Sequence, residues 1–178
     1  MPSKPNVVFI VSDDQGYQDV SYHEGGSMPT PNIDSIASDG VAFSSAFVSA
    51  PVCGPSRAGL LTGRYQDRYG FCCNPTSAPF QADAGLPYDE ETVGELLRRA
   101  GYATFYIGKW HLGTHAASHP LSRGFDRFYG FLTGAHRCMQ CSVLGIEPTH
   151  AALPPPCRAS PPGGETAKWR ASGGRPMG

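Results

Sequence analysis

A continuous apolar run from Val7 to Val11, close to the start of the chain, is the feature that most constrains its fold. All five residues are β-branched or aromatic, which is typical of a strand buried on both faces, as in parallel sheets. Parallel strands are joined by long crossover connections, usually helices. The run therefore predicts that helices and further strands alternate along the rest of the chain.

Three helical segments and two more extended segments follow in that order. Proline at a first helical position and glycine just past the last turn mark the helix ends, as expected from their backbone preferences. The predicted helices run from Pro31 to the stop at Gly40, from Ser56 to Thr62 after Pro55, and from Glu91 to Ala100, and the predicted extended segments are Val41–Val48 and Tyr102–Ile107. The sequence thus predicts an α/β fold with a mostly parallel sheet flanked by helices.

Length and charge exclude several classes of function. The 178 residues suffice for one domain and a tail, and the formal net charge of -1 does not favour nucleic acid or an anionic membrane as a partner. No apolar run approaches the roughly 18 residues of a membrane span. The first residues lack the features of a signal peptide, so the chain as written is predicted to be cytoplasmic, or periplasmic, lysosomal or secreted if a leader was lost. The six cysteines are therefore weak evidence for disulfides.

The end of the chain differs in composition from the rest. Residues 138–178 are rich in proline, glycine, serine and arginine and poor in aliphatic residues, so they are predicted to be disordered. Cys138 and Cys141 form a single C-x-x-C without a second pair, which does not favour a zinc site. Residues 1–137 are predicted to form the folded part.

Two adjacent carboxylates, Asp13 and Asp14, follow the first predicted strand. Open α/β sheets bind ligands at the carboxyl ends of their strands, and carboxylate oxygens suit Ca²⁺ or Mg²⁺. The alternative is a solvated turn after a strand.

Cys53 lies just ahead of a predicted helix, in the stretch Cys53-Gly54-Pro55-Ser56-Arg57. The backbone N–H groups of a helix N-terminus attract anions and activate a thiol, and Arg57 adds a permanent positive charge. Residue 53 is therefore predicted to be a nucleophile that faces an anionic substrate. Local physics alone also allows a thiolate, as in cysteine phosphatases, although their glycine-rich phosphate loop is absent.

Lys109 and His111 follow the strand predicted at Tyr102–Ile107. Lysine can hold an anionic oxygen, and histidine can exchange a proton near neutral pH. The alternative is an ordinary loop anchored by a tryptophan. Three such clusters at predicted strand ends and helix starts indicate an enzyme site.

These segments resemble those of the type I sulfatases. The stretch "CGPSR" followed by "AGLLTGR" is similar to the family signature, "PNVVFIVSDDQGYQD" to its first strand and metal pair, and "GYATFYIGKWHLG" to its Lys/His segment. "PLSRGFDRFYGFLTG" also resembles the family's continuation. The resemblance covers roughly residues 5–136 and implies the alkaline phosphatase-like α/β fold.

The resemblance implies that a formylglycine-generating enzyme oxidises Cys53 to formylglycine. One oxygen of the hydrated aldehyde would attack the sulfur of a sulfate ester, and the S–O bond to the alcohol would break so that the alcohol leaves. The family's usual substrate is a sulfated sugar. The second hydroxyl would then lose its proton and expel sulfate. Arg57 would hold the hydrated aldehyde, Lys109 a sulfate oxygen, and His111 would assist the proton steps.

The resemblance also implies a divalent cation, Ca²⁺ or Mg²⁺, bound by Asp13, Asp14 and residue 53. The family's remaining metal ligands and a second His and Lys are not recognisable after residue 137, where the sequence resembles a shifted reading frame or an aberrant splice. Ca²⁺ prefers about six to eight oxygen ligands, so the 178-residue chain alone is predicted not to hydrolyse sulfate esters at a useful rate. Two alternatives stay open: a phosphonate or phosphodiester hydrolase of the same superfamily, and a non-catalytic sulfatase-like fragment.

Overall fold

The structure is a computed structural model and describes residues 4–135. The tail predicted at 138–178 lies outside the described residues. The chain divides into two compact units, Met1–Val48 and Ser49–Gly178, and each is described by itself. No helix in the described part is long and apolar enough to cross a membrane. The helices are α1 (Pro31–Asp39), α2 (Cys53–Thr62) and α3 (Val93–Arg99), and the strands are β1 (Phe105–Lys109) and β2 (Arg127–Phe131).

The first unit contains α1 and no strand among its described residues. The prediction of strands over Val7–Val11 and Val41–Val48 is therefore wrong for this structure. Their side chains are exposed, Val8 by 81% and Phe47 by 92%. A strand is defined by its hydrogen-bonded neighbour, and apolar character alone does not supply one.

Helix α1 confirms the predicted start at Pro31 and the stop at Gly40. Thr30 occupies the N-cap position, but its hydroxyl lies 2.9 Å from a carboxylate oxygen of Asp34 and does not cap the helix backbone. The hydroxyl of Ser21 donates to the other oxygen of Asp34 at 2.6 Å, and this bond holds the pKa of Asp34 below its usual value. The three side chains tie the preceding loop to the first turn of α1.

A two-stranded parallel sheet forms the centre of the second unit. Phe105 pairs with Arg127 and Lys109 with Phe131. The strand predicted at Tyr102–Ile107 is confirmed but begins and ends later, at Phe105 and Lys109. The carboxyl ends of β1 and β2 therefore lie side by side, which is the edge where α/β sheets carry their ligands.

An aromatic core fills the space beneath one face of this sheet. Tyr106 of β1 meets the Trp110 and Phe125 rings edge to face, with centroids 5.0 and 5.1 Å away. Such edge-to-face pairs are favourable beyond their buried area. Trp110 is fully buried, and its indole N–H donates to the carbonyl of Ser118 at 2.8 Å. Leu112 is fully buried as well, so the core anchors the chain on both sides of His111, immediately after β1.

Candidate active site

Helix α2 presents Cys53 at its N-terminus. The helix begins at Cys53 itself, three residues before the predicted Ser56. It ends at Thr62, and the next residue, Gly63, has a φ of +65°, the left-handed conformation that glycine adopts without strain. The cysteine is partly buried, and Arg57 lies one turn further along the same face.

Arg57 connects this helix to the end of β1. Its guanidinium donates to the backbone carbonyl of Lys109 at 2.7 Å and lies 3.4 Å from the hydroxyl of Tyr106. The Tyr106 hydroxyl donates to the same carbonyl at 2.6 Å. Two bonds therefore fix the carbonyl of Lys109, and a permanent cation lies between the nucleophile position and the strand end.

Lys109 is the last residue of β1, and His111 follows in an unusual backbone conformation. The backbone N–H groups of Trp110 and His111 donate to Phe131 and Leu132, at 2.9 and 3.1 Å, so the pairing with β2 continues past the strand. His111 is buried and has a φ of +58°, which is uncommon for a residue with a side chain. Such strained residues persist where the surrounding structure holds them, and they cluster at functional sites.

A cavity of about 260 Å³ opens beside His111. Its walls combine the segment after Asn74 with the segment after β2. Four of the residues that line it carry hydroxyl groups: Thr76, Ser77, Thr114 and Thr133. Pro75 also lines the cavity and lies against Gly54 of α2, where a Cβ atom would be 2.9 Å from its Cδ. One short segment therefore separates the start of α2 from the cavity.

Asn74 belongs to the site and was missed in the sequence. Its side-chain oxygen accepts a hydrogen bond from the backbone N–H of Gly54 at 2.8 Å, so this donor of the helix N-terminus is already paired within the protein. The sulfur of Cys53 lies 3.5 Å from the same oxygen. The only local signal was the Asn74-Pro75 pair, which marks a turn but not its partner.

Asp13 and Asp14 belong to the first unit, and no strand lies among residues 4–12, the described residues ahead of them. Asp14 has a φ of +56°, in the left-handed region that aspartate tolerates better than most residues. Within residues 4–135, no group of three or more His, Cys, Asp or Glu side chains is placed to hold a metal ion. The two carboxylates are suitable donors for Ca²⁺ or Mg²⁺, but two side chains do not complete the coordination sphere of either ion.

The sequence matches one protein family over most of its length. The family model described as "Sulfatase" matches residues 5–149. N-acetylgalactosamine-6-sulfatase of Rattus norvegicus is 41% identical over 134 residues, which are 72% of this chain and 26% of the relative. Arylsulfatase G of Homo sapiens is 41% identical over 160 residues, which are 90% of this chain and 29% of the relative.

Solved structures agree with the sequence matches. The crystal structure of Ps i-CgsB superposes with a TM-score of 0.64 at 43% identity, covering 70% of this chain and 27% of the other. The same protein in complex with k-i-k-neocarrahexaose also gives a TM-score of 0.64, at 42% identity and the same coverage. The chain spans between a quarter and a third of the length of these relatives. The family match covers most of the chain and includes every site residue described above, and the chain belongs to the sulfatase family.

Proposed function

We propose that this protein is a sulfuric ester hydrolase in which residue 53, converted from cysteine to formylglycine, is the nucleophile. One observation carries the proposal: Cys53 opens helix α2, and Arg57, one turn later, is bonded to the end of β1 at Lys109. That arrangement supports a nucleophile position one turn away from a cation that is held by the backbone at the end of β1. Membership of the sulfatase family supports the same chemistry.

The side chains of the second unit have distinct proposed roles. Formylglycine, when formed, supplies a hydrate oxygen as nucleophile. Arg57 lowers the energy of negative charge on that oxygen, because its guanidinium is held in place by the carbonyl of Lys109. Lys109 binds a sulfate oxygen, and His111, buried at the cavity, transfers the proton that accompanies loss of sulfate.

Two further components are proposed for the site. Asp13 and Asp14, together with residue 53, belong to the ligand set of a divalent cation, Ca²⁺ or Mg²⁺. Conversion of Cys53 requires a formylglycine-generating enzyme as a partner. Membership of the sulfatase family supports the cation and the modifying enzyme alike. A cation would also reduce the repulsion between the nucleophile and the negatively charged sulfate group.

We infer that the substrate is a sulfated carbohydrate. Two similar proteins support this: one is named N-acetylgalactosamine-6-sulfatase, and another was crystallised with k-i-k-neocarrahexaose. The hydroxyl-rich wall beside His111, with Thr76, Ser77 and Thr133, offers hydrogen-bonding groups of the kind that sugar hydroxyls use.

Mass spectrometry tests the modification. The chain is produced together with a formylglycine-generating enzyme, and the tryptic peptide that ends at Arg57 is expected to lose the thiol and carry an aldehyde. Cys72, which is exposed but is not followed by Pro-x-Arg, is the internal control and should remain a thiol. A wholly unmodified Cys53 beside an active modifying enzyme would contradict the proposal.

Turnover tests the reaction itself. The full-length protein with the aldehyde is assayed on an aryl sulfate and on an aryl phosphonate, beside a Cys53→Ala variant. We expect faster hydrolysis of the sulfate and loss of hydrolysis in the variant. A preference for the phosphonate would assign the protein to the other branch of the superfamily.

A further inference from the structure

We propose that Asn74 is a positioning residue for the nucleophile: its side-chain oxygen fixes the start of helix α2 and the orientation of the side chain at residue 53. The inference rests on the proposed function for its consequence in catalysis. Its structural basis is independent of that function, because it consists of hydrogen bonds and contacts around Cys53.

The first argument is that α2 has no cap of its own. Val52 is at the N-cap position and offers no side-chain acceptor, and Pro55 has no backbone N–H. Ser56 already donates to the carbonyl of Val52 at 3.1 Å. The N–H of Gly54 therefore needs an acceptor from elsewhere, and Asn74, 20 residues downstream, supplies it at 2.8 Å.

The second argument is that the same oxygen accepts from residue 53. The Cys53 sulfur lies 3.5 Å away, within the range for a sulfur donor. In formylglycine hydrate a hydroxyl takes the place of the S–H group as donor. An amide oxygen only accepts hydrogen bonds, so Asn74 holds one hydroxyl of the hydrate and thereby determines the direction of the other.

The third argument is the close packing at Gly54. A Cβ atom there would lie 2.8 Å from the Asn74 oxygen and 2.9 Å from Cδ of Pro75. Glycine at position 54 thus permits the side chain of Asn74 to reach both donors. Any larger residue would push the Asn74-Pro75 segment away from the helix start.

The competing explanation is that Asn74 caps the helix and serves its stability alone. Four proteins distinguish this explanation from the positioning role. They are the wild type, Asn74→Asp, Asn74→Leu, and Asn74→Leu combined with Val52→Ser. Asp keeps an acceptor in the same place, while Leu has a similar shape without one. Serine at the N-cap position can accept from Gly54, which restores the cap but gives residue 53 no acceptor.

The readouts are aminooxy labelling of the aldehyde at residue 53 and hydrogen exchange of the Gly54 amide. Because Asn74 stabilises the hydrate, we expect Asn74→Leu to label about 2- to 10-fold faster, the range for one hydrogen bond. Asn74→Asp should label no faster than the wild type. The double variant should regain protection of the Gly54 amide and still label as fast as Asn74→Leu.

The proposal is overturned if the double variant returns to the wild-type labelling rate, which would make Asn74 a cap alone, or if Asn74→Leu labels no faster than the wild type. If the wild type carries no aldehyde, the proposed modification has failed and the thiol remains. Alkylation of Cys53 by iodoacetamide, followed on the same peptide, then replaces labelling, with the same order of rates expected among the four chains.

Discussion

At the scale of single residues, the position of His111 depends on the absence of a side chain at Gly134. A Cβ atom on Gly134 would lie 2.7 Å from Cε1 and 2.8 Å from Nε2 of the His111 imidazole. Distances below 3 Å are shorter than van der Waals contact allows, so either the new methyl group or the imidazole ring would have to move. The backbone after β2 therefore forms a wall against the ring that is proposed to carry the proton.

We predict that Gly134→Ala displaces the imidazole of His111. The expected result is a shift of its ring resonances in NMR spectra and a destabilisation of about 1–3 kcal/mol from overpacking. Gly63→Ala is the control for the ring resonances, because its φ of +65° makes it destabilising as well while a Cβ there meets nothing within 4 Å. Unchanged His111 resonances in Gly134→Ala would show that the wall yields instead.

His119 provides a titration at the same scale. Burial lowers its pKa below the usual 6.5, and its Nδ1 accepts a hydrogen bond from the N–H of Leu121 at 3.2 Å. Because the folded pKa is depressed, the unfolded chain binds more protons, so stability is full above about pH 6.5 and falls as the pH decreases toward the folded pKa.

We therefore predict that the free energy of unfolding decreases as the pH falls below about 6.5, and that His119→Asn removes part of this decrease. Asparagine can still accept from Leu121 but does not titrate in this range. Urea unfolding at a series of pH values measures the difference. An identical pH dependence in both proteins would assign the effect to other groups.

At the scale of elements, α3 shows how a local signal fixes a helix end. The hydroxyl of Thr92 accepts from the N–H of Glu95 at 3.2 Å, and the Glu95 carboxylate accepts from the N–H of Thr92 at 2.7 Å. The same hydroxyl donates to the carbonyl of Arg123 at 2.8 Å. Arg123 is itself buried and donates to the carbonyls of Leu86 and Glu90. One threonine thus caps the helix and joins it to the loop before β2.

We predict that Thr92→Ala destabilises the second unit by about 1–3 kcal/mol, because it removes the cap and leaves a buried carbonyl with one bond fewer. Thr92→Ser retains the hydroxyl and is expected to lose much less. Urea denaturation followed by circular dichroism compares the two. Equal losses in both variants would attribute the effect to the methyl group and not to the hydrogen bonds.

The elements also show what the sequence could predict. The ends of α1 follow from Pro31 and Gly40, because caps and stops act within a few residues. Helix α3, predicted from Glu91 to Ala100, is confirmed over the shorter range Val93–Arg99. Strands need partners from distant segments: β2 was not predicted, and the run at Val7–Val11 is not a strand among the described residues. The contribution of Asn74 was invisible for the same reason, since its partner lies 20 residues away.

At the scale of the whole molecule, both units leave large apolar side chains in contact with solvent. Val8 and Ile10 of the first unit are 81% and 80% exposed, and Ile107 and Tyr129 of the sheet 79% and 81%. Isolated apolar residues are common on protein surfaces, but contiguous ones promote association.

The chain spans less than a third of the length of its relatives. The activity proposed above is therefore that of the full-length protein and not of these 178 residues alone.

We predict that the 178-residue chain binds a hydrophobic dye and associates at higher concentration. Val8→Glu combined with Ile10→Glu is expected to lower both the dye fluorescence and the light scattering. Ser44→Glu with Ser45→Glu adds the same charge on exposed residues and removes no apolar surface, so it should reduce the dye fluorescence much less. Equal effects of the two pairs would show that charge, and not apolar exposure, governs the association.

The bond between Arg57 and the carbonyl of Lys109 spans 52 residues, and this separation becomes a delay during synthesis. Translation proceeds at about 5–20 residues per second, so Lys109 is added roughly 3–10 s after Arg57. Until then the segment around Cys53 lacks one of the bonds that hold its helix in the folded chain. The proposed formylglycine-generating enzyme, if it acts on the emerging peptide, has those seconds to reach Cys53 before this bond forms.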